Sequence, residues 1–478
     1  MMSGMRLLMM INFFPPAGGG GVYRPLSFVK YLSRAGWEIT VVTPKPGEFW
    51  ISDPSLEKQV PSGVRVVRTS SMSAQRLLQK LRGRKRGGGP GEPAGAGSRP
   101  SGRFEKMRRL GEYFLLPDTY TGWRPFAVKE ASRLCRGERF DALYSTSPPD
   151  STQLAALEVA SRFGIPWLAD FRDPWISLYL RDPVSPMHRR IHEKMERRVT
   201  SAADTVTVTT KWQEETLRAR IPSCNVVRIP NGFEEEDFAA CEGAASPPAS
   251  GPMLITHCGM LTLGRRSRTF LEGLSRFFEE VPEAGGDVEV VFIGARESEN
   301  ERLDGLGSLE GSVRFTDNMP HAECVEREMR SHVLLLVKHD DDRYNGLIPG
   351  KLFEYIGARR PVLALAPPGE AADIVGGLRR GEVAGPGDAE GVASALASLY
   401  RAHRAGELET VYDLSPRPEF SRRAAAGMME RELRALAGAD VTGEKDTGLE
   451  DAVPEEARPE DAKPEDAKRE DTEPGGAG

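Results

Sequence analysis

Lys351 and Glu354 form the most suggestive pair of charged residues in the chain. They lie three residues apart in PGKLFEYIGARRPVLAL, where a short helical segment leads directly into an apolar strand. If a helix begins near Gly350, its free amide groups and the positive end of its dipole provide a seat for a diphosphate. Lys351 could then stabilise charge on a phosphate leaving group, and Glu354 on the same face could accept both hydroxyls of a ribose. The alternative is an ordinary surface Lys–Glu pair on a helix.

A second concentration of charge follows an apolar strand in PWLADFRDPW, which places Asp170, Arg172 and Asp173 within four positions. Side chains at the carboxyl end of a strand in a parallel sheet often meet substrate groups. One aspartate could orient Arg172 while the other receives or orients the hydroxyl of a second substrate. The alternative is a structural ion pair that closes the loop.

A glycine-rich turn joins the first apolar strand to the first amphipathic helix, with four consecutive glycines: Gly18, Gly19, Gly20 and Gly21. Glycine permits backbone conformations that other residues resist, and it leaves the amide groups bare. The turn lacks the GxGxxG pattern of a dinucleotide loop and the Lys-Ser/Thr of a P-loop, so it indicates neither NAD nor ATP. A merely flexible turn is the alternative.

The elements that would position these residues alternate along the chain between apolar runs of strand length and helical segments. The alternation pauses at the proline-containing stretch 246–252 and then resumes with MLITHCG, VEVVFIG, HVLLLVK and PVLALAP. Such alternation is typical of parallel sheets covered on both faces. We predict an α/β protein with two tandem doubly wound, Rossmann-like domains over residues 1–235 and 250–415, followed by a helix over 416–438. A ligand should lie in the cleft between the domains, at the carboxyl ends of the strands.

Charge is distributed unevenly over the 478 residues, whose formal net charge is −6. Residues 440–478 carry 14 acidic and 5 basic side chains and few apolar ones, so we expect a disordered acidic tail over 439–478. The stretch from Arg76 to Arg109 carries 11 basic and 2 acidic side chains. Its glycine and proline content predicts a disordered basic loop over about residues 74–104.

Several other classes of protein and site are disfavoured by the sequence. No apolar run reaches the roughly 18 residues of a membrane span, and we identify no signal peptide, so we expect a cytoplasmic protein. The five cysteines and seven histidines show no metal-ligand spacing, and we expect neither a metal nor a bound cofactor. The nucleophile motif GxSxG and the zinc motif HExxH are both missing.

Four stretches, taken in order, resemble the family-4 type (group 1) retaining glycosyltransferases with the GT-B fold. They are PPAGGGGVYRPLSFVKYLSRAGWEITVVT, PWLADFRDPW, VVRIPNGF and GKLFEYIGARRPVLAL, and together they span nearly all of residues 5–435. The resemblance implies transfer of a sugar, with retention, from a donor such as a UDP- or GDP-sugar to a hydroxyl acceptor. It further implies a part in glycan, polysaccharide or glycolipid biosynthesis.

By this resemblance, Glu354 matches the second glutamate of the family's paired-glutamate motif. The position of the first glutamate, eight residues earlier, is Gly346 in this chain. The family's contact to the sugar ring would therefore need a substitute, and the candidates are Asp341, Asp342 or a backbone amide near Asn345.

The resemblance also implies a basic residue that holds the donor pyrophosphate, in the turn after the first strand of the second domain. Arg265 and Arg266 in HCGMLTLGRRSR are the candidates, since guanidinium groups bind phosphate in a bidentate manner. Gly259 would let the backbone approach the ligand, or it simply ends the strand. With Gly350 and Glu370 these residues make up the predicted donor-binding set, and solvated arginines at a helix start are the alternative.

Transfer without an obvious nucleophile makes charge stabilisation and positioning the main tasks of the site. Replacing Lys351 by Ala is then predicted to lower turnover much more than folding stability. Two other classes stay open: a GT-B enzyme that epimerises nucleotide-sugars, and a catalytically degenerate GT-B binding protein.

The acceptor side belongs to the first domain in similar enzymes, and that domain carries the basic loop. A basic strip beside an acceptor cleft would be attracted to an anionic bilayer that carries a lipid-linked acceptor. Peripheral contact with the inner face of the membrane is therefore one option. An inert insertion is the other. We do not expect nucleic acid as a partner, because the basic stretch lacks interleaved aromatic residues.

Overall fold

The computed structural model describes residues 4–46, 52–72, 115–176, 185–259, 261 and 267–439, with further gaps at 242, 244–245, 249, 295–304, 342–343 and 345. The predicted basic loop, the acidic stretch from residue 440, and Arg265, Arg266, Asp342 and Asn345 lie outside the described residues.

The first sheet has seven parallel strands in the order β3-β2-β1-β4-β5-β6-β7. Their bounds are β1 Arg6–Met10, β2 Glu38–Pro44, β3 Arg65–Thr69, β4 Ala142–Ser147, β5 Trp167–Phe171, β6 Thr205–Val208 and β7 Val226–Arg228. The central strands are buried on both faces, which agrees with the apolar run of β1, and the polar residues of β4 and β5, such as Thr146 and Asp170, are buried as well.

The helices of this first half divide between the two faces of the sheet. They are α1 Gly20–Arg34, α2 Arg124–Gly137, α3 Ser151–Phe163, α4 Pro186–Thr200 and α5 Lys211–Arg220. The chain runs outward in one direction from β1 to β3 and in the other from β4 to β7. Right-handed crossovers therefore place α1 on one face and α2 to α5 on the other, and the strand order reverses between β1 and β4.

The second sheet has six parallel strands in the order β10-β9-β8-β11-β12-β13. Their bounds are β8 Met253–Cys258, β9 Val288–Ile293, β10 Val313–Thr316, β11 Val333–Val337, β12 Val362–Leu365 and β13 Gly381–Ala384. The remaining helices are α6 Glu235–Ala239, α7 Ser267–Glu280, α8 His321–Arg330, α9 Gly350–Gly357, α10 Glu370–Gly377, α11 Ala389–Ala405, α12 Leu408–Val411 and α13 Arg422–Leu436. The order reverses between β8 and β11, which is where a doubly wound sheet opens a crevice for a ligand.

Two chain segments connect the halves and lie side by side. The backbone N–H of Phe233 donates to the carbonyl of Phe420, and the N–H of Arg422 donates to the carbonyl of Phe233. Helix α13 then returns to the first half, where Met429 and Leu433 share an apolar core with α1.

The predicted fold class, two parallel sheets with interleaved helices, is confirmed. Helix α9 begins at Gly350, the residue that the sequence indicated. Among the described residues, no helix combines the length and the apolar character that crossing a bilayer requires.

Candidate active site

Helices α8 and α9 both begin at the carboxyl edge of the second sheet, because each follows the end of one strand and runs back toward the start of the next. At the start of α9, Pro349 provides no side-chain cap for the first amide groups. Gly350 is exposed, and a Cβ built there would meet no atom within 4 Å. The amino end of α9 is therefore open to a ligand.

Lys351 is held between two carboxylates. Its Nζ lies 2.6 Å from Oε2 of Glu354 and 3.3 Å from Oε1 of Glu328 on α8. The exposed fractions of the three side chains are 29% for Lys351, 14% for Glu354 and 0% for Glu328. The lysine thus neutralises two largely buried acids and is also the member of the trio that reaches furthest toward solvent.

The network continues from Glu354 to α6, which lies between the two sheets in the chain, and to the first half of the protein. Oε1 of Glu354 lies 3.3 Å from Nε2 of His321, and Nδ1 of the same ring lies 3.7 Å from Oδ2 of Asp237. The ring of Tyr23, in the first turn of α1, lies 5.8 Å from the His321 ring, measured between centroids. The candidate site therefore joins α8 and α9 to α6 and to the helix that follows the glycine turn.

Burial and neighbouring charges shift the pKa values of these groups in different directions. Burial opposes ionisation of Glu354, but the hydrogen bond with His321 and the charge of Lys351 lower its pKa to about 2. Burial raises the pKa of Glu328 to about 7, even though Lys351 opposes this shift. The hydrogen bond with Glu354 raises the pKa of His321. Near neutral pH, Glu354 is thus firmly ionised, whereas Glu328 lies close to its titration midpoint.

The end of β8 forms one wall of the site. Gly259 has a φ of +122°, in the region that favours glycine, and a Cβ there would lie 3.9 Å from Cε of Lys351. The preceding residue, Cys258, donates its backbone N–H to the Tyr355 hydroxyl at 3.2 Å. Its thiol also hydrogen-bonds with Cys324 of α8, and this contact lowers the pKa of Cys324 to about 7.

The glycine turn and the DFRDPW stretch meet each other. Gly19 is the residue before α1 and has a φ of +89°, while Gly20 and Gly21 start the helix and Gly18 precedes them. The guanidinium group of Arg172 donates to the carbonyls of Gly21, Pro148 and Ser147. Arg172 therefore links the backbone at the end of β4 to the first turn of α1.

Asp170 lies in the core of the first half, with an exposed fraction of 0%. It accepts hydrogen bonds from Arg24, at 2.9 and 3.2 Å, and from the hydroxyls of Tyr144, Thr146 and Thr207. Burial opposes ionisation, but the charge of Arg24 lowers the pKa of Asp170. Its surroundings are those of a structural anion whose ion-pair partner is Arg24 rather than Arg172. Asp173 is half-buried, and its contact with an acceptor stays a prediction.

Glu370 bridges the two halves in this structure. Its Oε2 accepts the backbone N–H of Lys211, the first residue of α5, at 2.8 Å, and its Oε1 lies 3.6 Å from Arg228. Burial raises the pKa of this carboxyl group. The carboxylate thus caps α5 across the cleft, and its predicted contact with a donor is untested.

The absence of a glutamate at Gly346 has a physical explanation. The Gly346 carbonyl accepts from the Thr210 hydroxyl at 3.2 Å, and a Cβ at Gly346 would come within 2.5 Å of Cζ3 of Trp212. In this arrangement the position has no room for a side chain. Asp341, the described candidate for a substitute, is half-buried.

Sequence reasoning missed Glu328, His321, Cys324 and Tyr23 as members of the site. The first three recur at positions i, i+3 and i+7 of α8, which is the spacing of one helical face. This spacing could have identified the three residues as one face of α8. The approach of Tyr23 from the other half had no local signal.

Comparison with known proteins agrees with this geometry. Residues 18–232 match the family model described as a glycosyl transferase 4-like domain. No curated protein sequence matches the chain.

Solved structures of the same fold cover almost the whole chain. Sucrose-phosphate synthase from Thermosynechococcus elongatus is 16% identical, with a TM-score of 0.58, and the match covers 91% of this chain and 100% of that one. Anabaena HepE in complex with UDP and glucose is 12% identical, with a TM-score of 0.57 and coverage of 90% and 100%. The UDP-forming α,α-trehalose-phosphate synthase from Burkholderia vietnamiensis is 14% identical, with a TM-score of 0.55 and coverage of 91% and 100%.

These structural matches agree with the arrangement of two parallel sheets around an edge site. The chain therefore has the GT-B fold of these solved structures, and its residues 18–232 match the family model of a glycosyl transferase 4-like domain.

Proposed function

We propose that this protein is a retaining glycosyltransferase that moves a sugar from a nucleotide-sugar donor to a hydroxyl acceptor, in glycan, polysaccharide or glycolipid biosynthesis. The observation that carries the proposal is the open amino end of α9, with Lys351 and Glu354 on its first two turns at the sheet edge. Structural neighbours of the same fold bind UDP and UDP-glucose, which supports this choice of donor.

The charges of the site suit the two parts of a nucleoside diphosphate. The free amides of α9 and the ammonium group of Lys351 would face the diphosphate, whose negative charge grows as the sugar leaves. Glu354, which is ionised at neutral pH, would accept hydrogen bonds from the ribose hydroxyls. Retention would follow if the acceptor hydroxyl enters on the face from which the diphosphate leaves.

The experiment is a panel of UDP-, GDP- and ADP-sugars, in which release of the nucleoside diphosphate and the fate of the sugar are measured with and without candidate acceptors. Release that depends on an acceptor supports a glycosyltransferase, and a changed sugar released without an acceptor would favour an epimerase. Binding without turnover would favour a degenerate binding protein. Glu354→Gln should abolish the acceptor-dependent release of the nucleoside diphosphate. Glu326→Gln, on the exposed side of α8, should leave this release unchanged.

For the acceptor, we propose a lipid-linked molecule at an anionic membrane. Helix α4, in the first half, supports this choice with five exposed basic side chains: Arg189, Arg190, Lys194, Arg197 and Arg198. Basic side chains near an anionic bilayer contribute about 1 kcal/mol each.

Co-sedimentation with phosphatidylglycerol vesicles and with neutral phosphatidylcholine vesicles, at low and high salt, tests the membrane contact. Binding should require the anionic lipid and weaken with salt, because screening shortens the range of the attraction. The double variant Arg190→Glu/Lys194→Glu should bind at least about tenfold less. The matched variant Arg276→Glu/Arg401→Glu, on α7 and α11, should bind like the unmodified protein. Equal binding of the two variants would refute the assignment to α4.

A further inference from the structure

Glu328 is the ionisable group of the candidate site that the proposed function leaves without a task. It lies two turns into α8 and has an exposed fraction of 0%. Its Oε1 lies 3.3 Å from the Lys351 ammonium group. Its Oε2 is buried without a hydrogen-bond partner among the described residues, and the nearby Cys258 thiol is only a weak donor. A buried carboxylate oxygen without a partner is costly unless it takes up a proton.

The charges of the candidate site are nearly balanced, and a bound diphosphate would add further negative charge. Lys351 serves both Glu328 and Glu354, and Glu354 has a second partner in His321. A diphosphate at the amino end of α9 would bring further negative charge and would compete for the same ammonium group. Glu328 has no other described cation within ion-pair distance, so it would lose most when the lysine turns toward the ligand.

We propose that Glu328 is a positioning residue that holds Lys351 before a donor binds and takes up a proton when the diphosphate of the donor draws the lysine away. The proton comes from solvent and binds the unpartnered carboxylate oxygen, and it returns to solvent when the nucleoside diphosphate leaves. This inference rests on the proposed function, because it requires a diphosphate at α9. It adds that donor binding is coupled to protonation inside the protein.

Other titratable groups face Glu328 and need to be distinguished from it. Cys258 at the end of β8 and Tyr355 on α9 have a pKa raised well above the usual value by their surroundings, so both stay protonated near neutrality. On α8 itself, contact with Cys258 lowers the pKa of Cys324 to about 7, and the hydrogen bond with Glu354 raises the pKa of His321. Both could also gain a proton beside an incoming anion.

Proton uptake on binding is measured by isothermal titration calorimetry with UDP, GDP and ADP at pH 8, in two buffers that differ in ionisation enthalpy. At this pH the terminal phosphate is already ionised, so uptake reports on the protein. We expect about half a proton or more per bound nucleotide in the unmodified protein. The same uptake is expected for the control Glu326→Gln, and none for Glu328→Gln, whose amide imitates the protonated carboxyl group. Uptake should persist in Cys324→Ala and in His321→Asn, although its size can change because both residues belong to the site.

The pH dependence of affinity gives a second signature. Between pH 7.5 and 9 the Kd of the unmodified protein should rise by up to about tenfold per pH unit, whereas that of Glu328→Gln should stay flat. A merely structural role for Glu328 would weaken binding at every pH alike. If Glu328→Gln does not fold, difference infrared spectra of the unmodified protein should show a protonated carboxyl band on nucleotide addition.

The outcomes separate this inference from the proposed function. Nucleotide binding without proton uptake, or uptake that persists in Glu328→Gln, overturns the role of Glu328 and leaves the proposed function intact. Loss of uptake in Cys324→Ala or His321→Asn instead would assign the proton to that residue and overturn the inference. Failure of all three nucleotides to bind overturns both proposals.

Discussion

Replacing Lys351 by methionine should destabilise the protein by an amount that grows with pH. The substitution keeps the length of the side chain but removes the cation between Glu328 and Glu354. Removing one partner of a buried ion pair costs about 3–5 kcal/mol when an uncompensated charge is left behind. Glu354 keeps His321 as a partner, so most of the cost falls on Glu328.

Glu328 avoids this cost when it is protonated. The stability of Lys351→Met therefore depends on pH. In the unmodified protein its pKa is raised to about 7, so its favourable contribution is complete below the unfolded pKa and is lost as pH rises through 7. Without Lys351 the folded pKa rises further, and the loss continues to higher pH. Each pH unit over which only the folded state holds this proton changes the free energy of unfolding by about 1.4 kcal/mol. The difference in unfolding free energy between Lys351→Met and the unmodified protein should therefore grow by about 2–3 kcal/mol between pH 7 and 9.

Urea unfolding followed by circular dichroism at pH 6.5, 7.5, 8.5 and 9 measures this difference. The double variant Lys351→Met/Glu328→Gln should recover stability at the higher pH values and lose the pH dependence. A Lys351→Met protein that matches the unmodified one within about 1 kcal/mol at every pH would refute the reasoning. The expectation from the sequence that Lys351→Ala lowers turnover much more than folding stability stays a prediction, and the cost to folding has to be separated from it. The Glu328→Gln background provides the cleaner test of turnover.

Three further variants test other parts of the structure. Glu354→Gln should lower nucleotide affinity at least about tenfold in calorimetry, because a charge-assisted hydrogen bond contributes about 1.5–3 kcal/mol, and an unchanged Kd would contradict the ribose contact. Gly346→Ala should overlap Trp212 and cost about 1–3 kcal/mol in thermal unfolding, whereas Gly350→Ala, with open space around it, serves as the stable control. Glu370→Ala should cost about 0.5–2 kcal/mol through loss of the cap on α5, and an unchanged Tm would show that the bridge contributes nothing.

The features that sequence alone could predict are those that depend on local periodicity. Alternating strand and helix signals identified two parallel sheets, because a fully covered strand reads as a continuous apolar run. The start of α9 at Gly350 and the shared face of Lys351 and Glu354 follow from helix geometry over three residues.

The features that sequence could not predict depend on contacts between distant segments. Asp170 and Arg172 are neighbours in sequence, yet Asp170 pairs with Arg24, which is 146 positions away. Nothing local to Gly346 shows that Trp212 fills the space where a glutamate would lie. The spacing of His321, Cys324 and Glu328 places them on one face of α8, but the full burial of Glu328 is decided by how that face packs beside α9. In each case the contact is determined by the tertiary structure and not by the spacing of residues along the sequence.

The same long-range contacts explain how a motif of the first half can serve the donor side. Arg172 holds the Gly21 carbonyl, and Asp170 anchors Arg24, so both act on the first two turns of α1. Tyr23 lies between these two anchored residues, and its ring faces His321, the partner of Glu354. DFRDPW therefore need not touch a substrate to affect donor binding, because it fixes the helix that supports His321. On this reasoning a change at Arg172 acts on Glu354 through α1, and a loss of nucleotide affinity in such a variant reports positioning rather than direct contact.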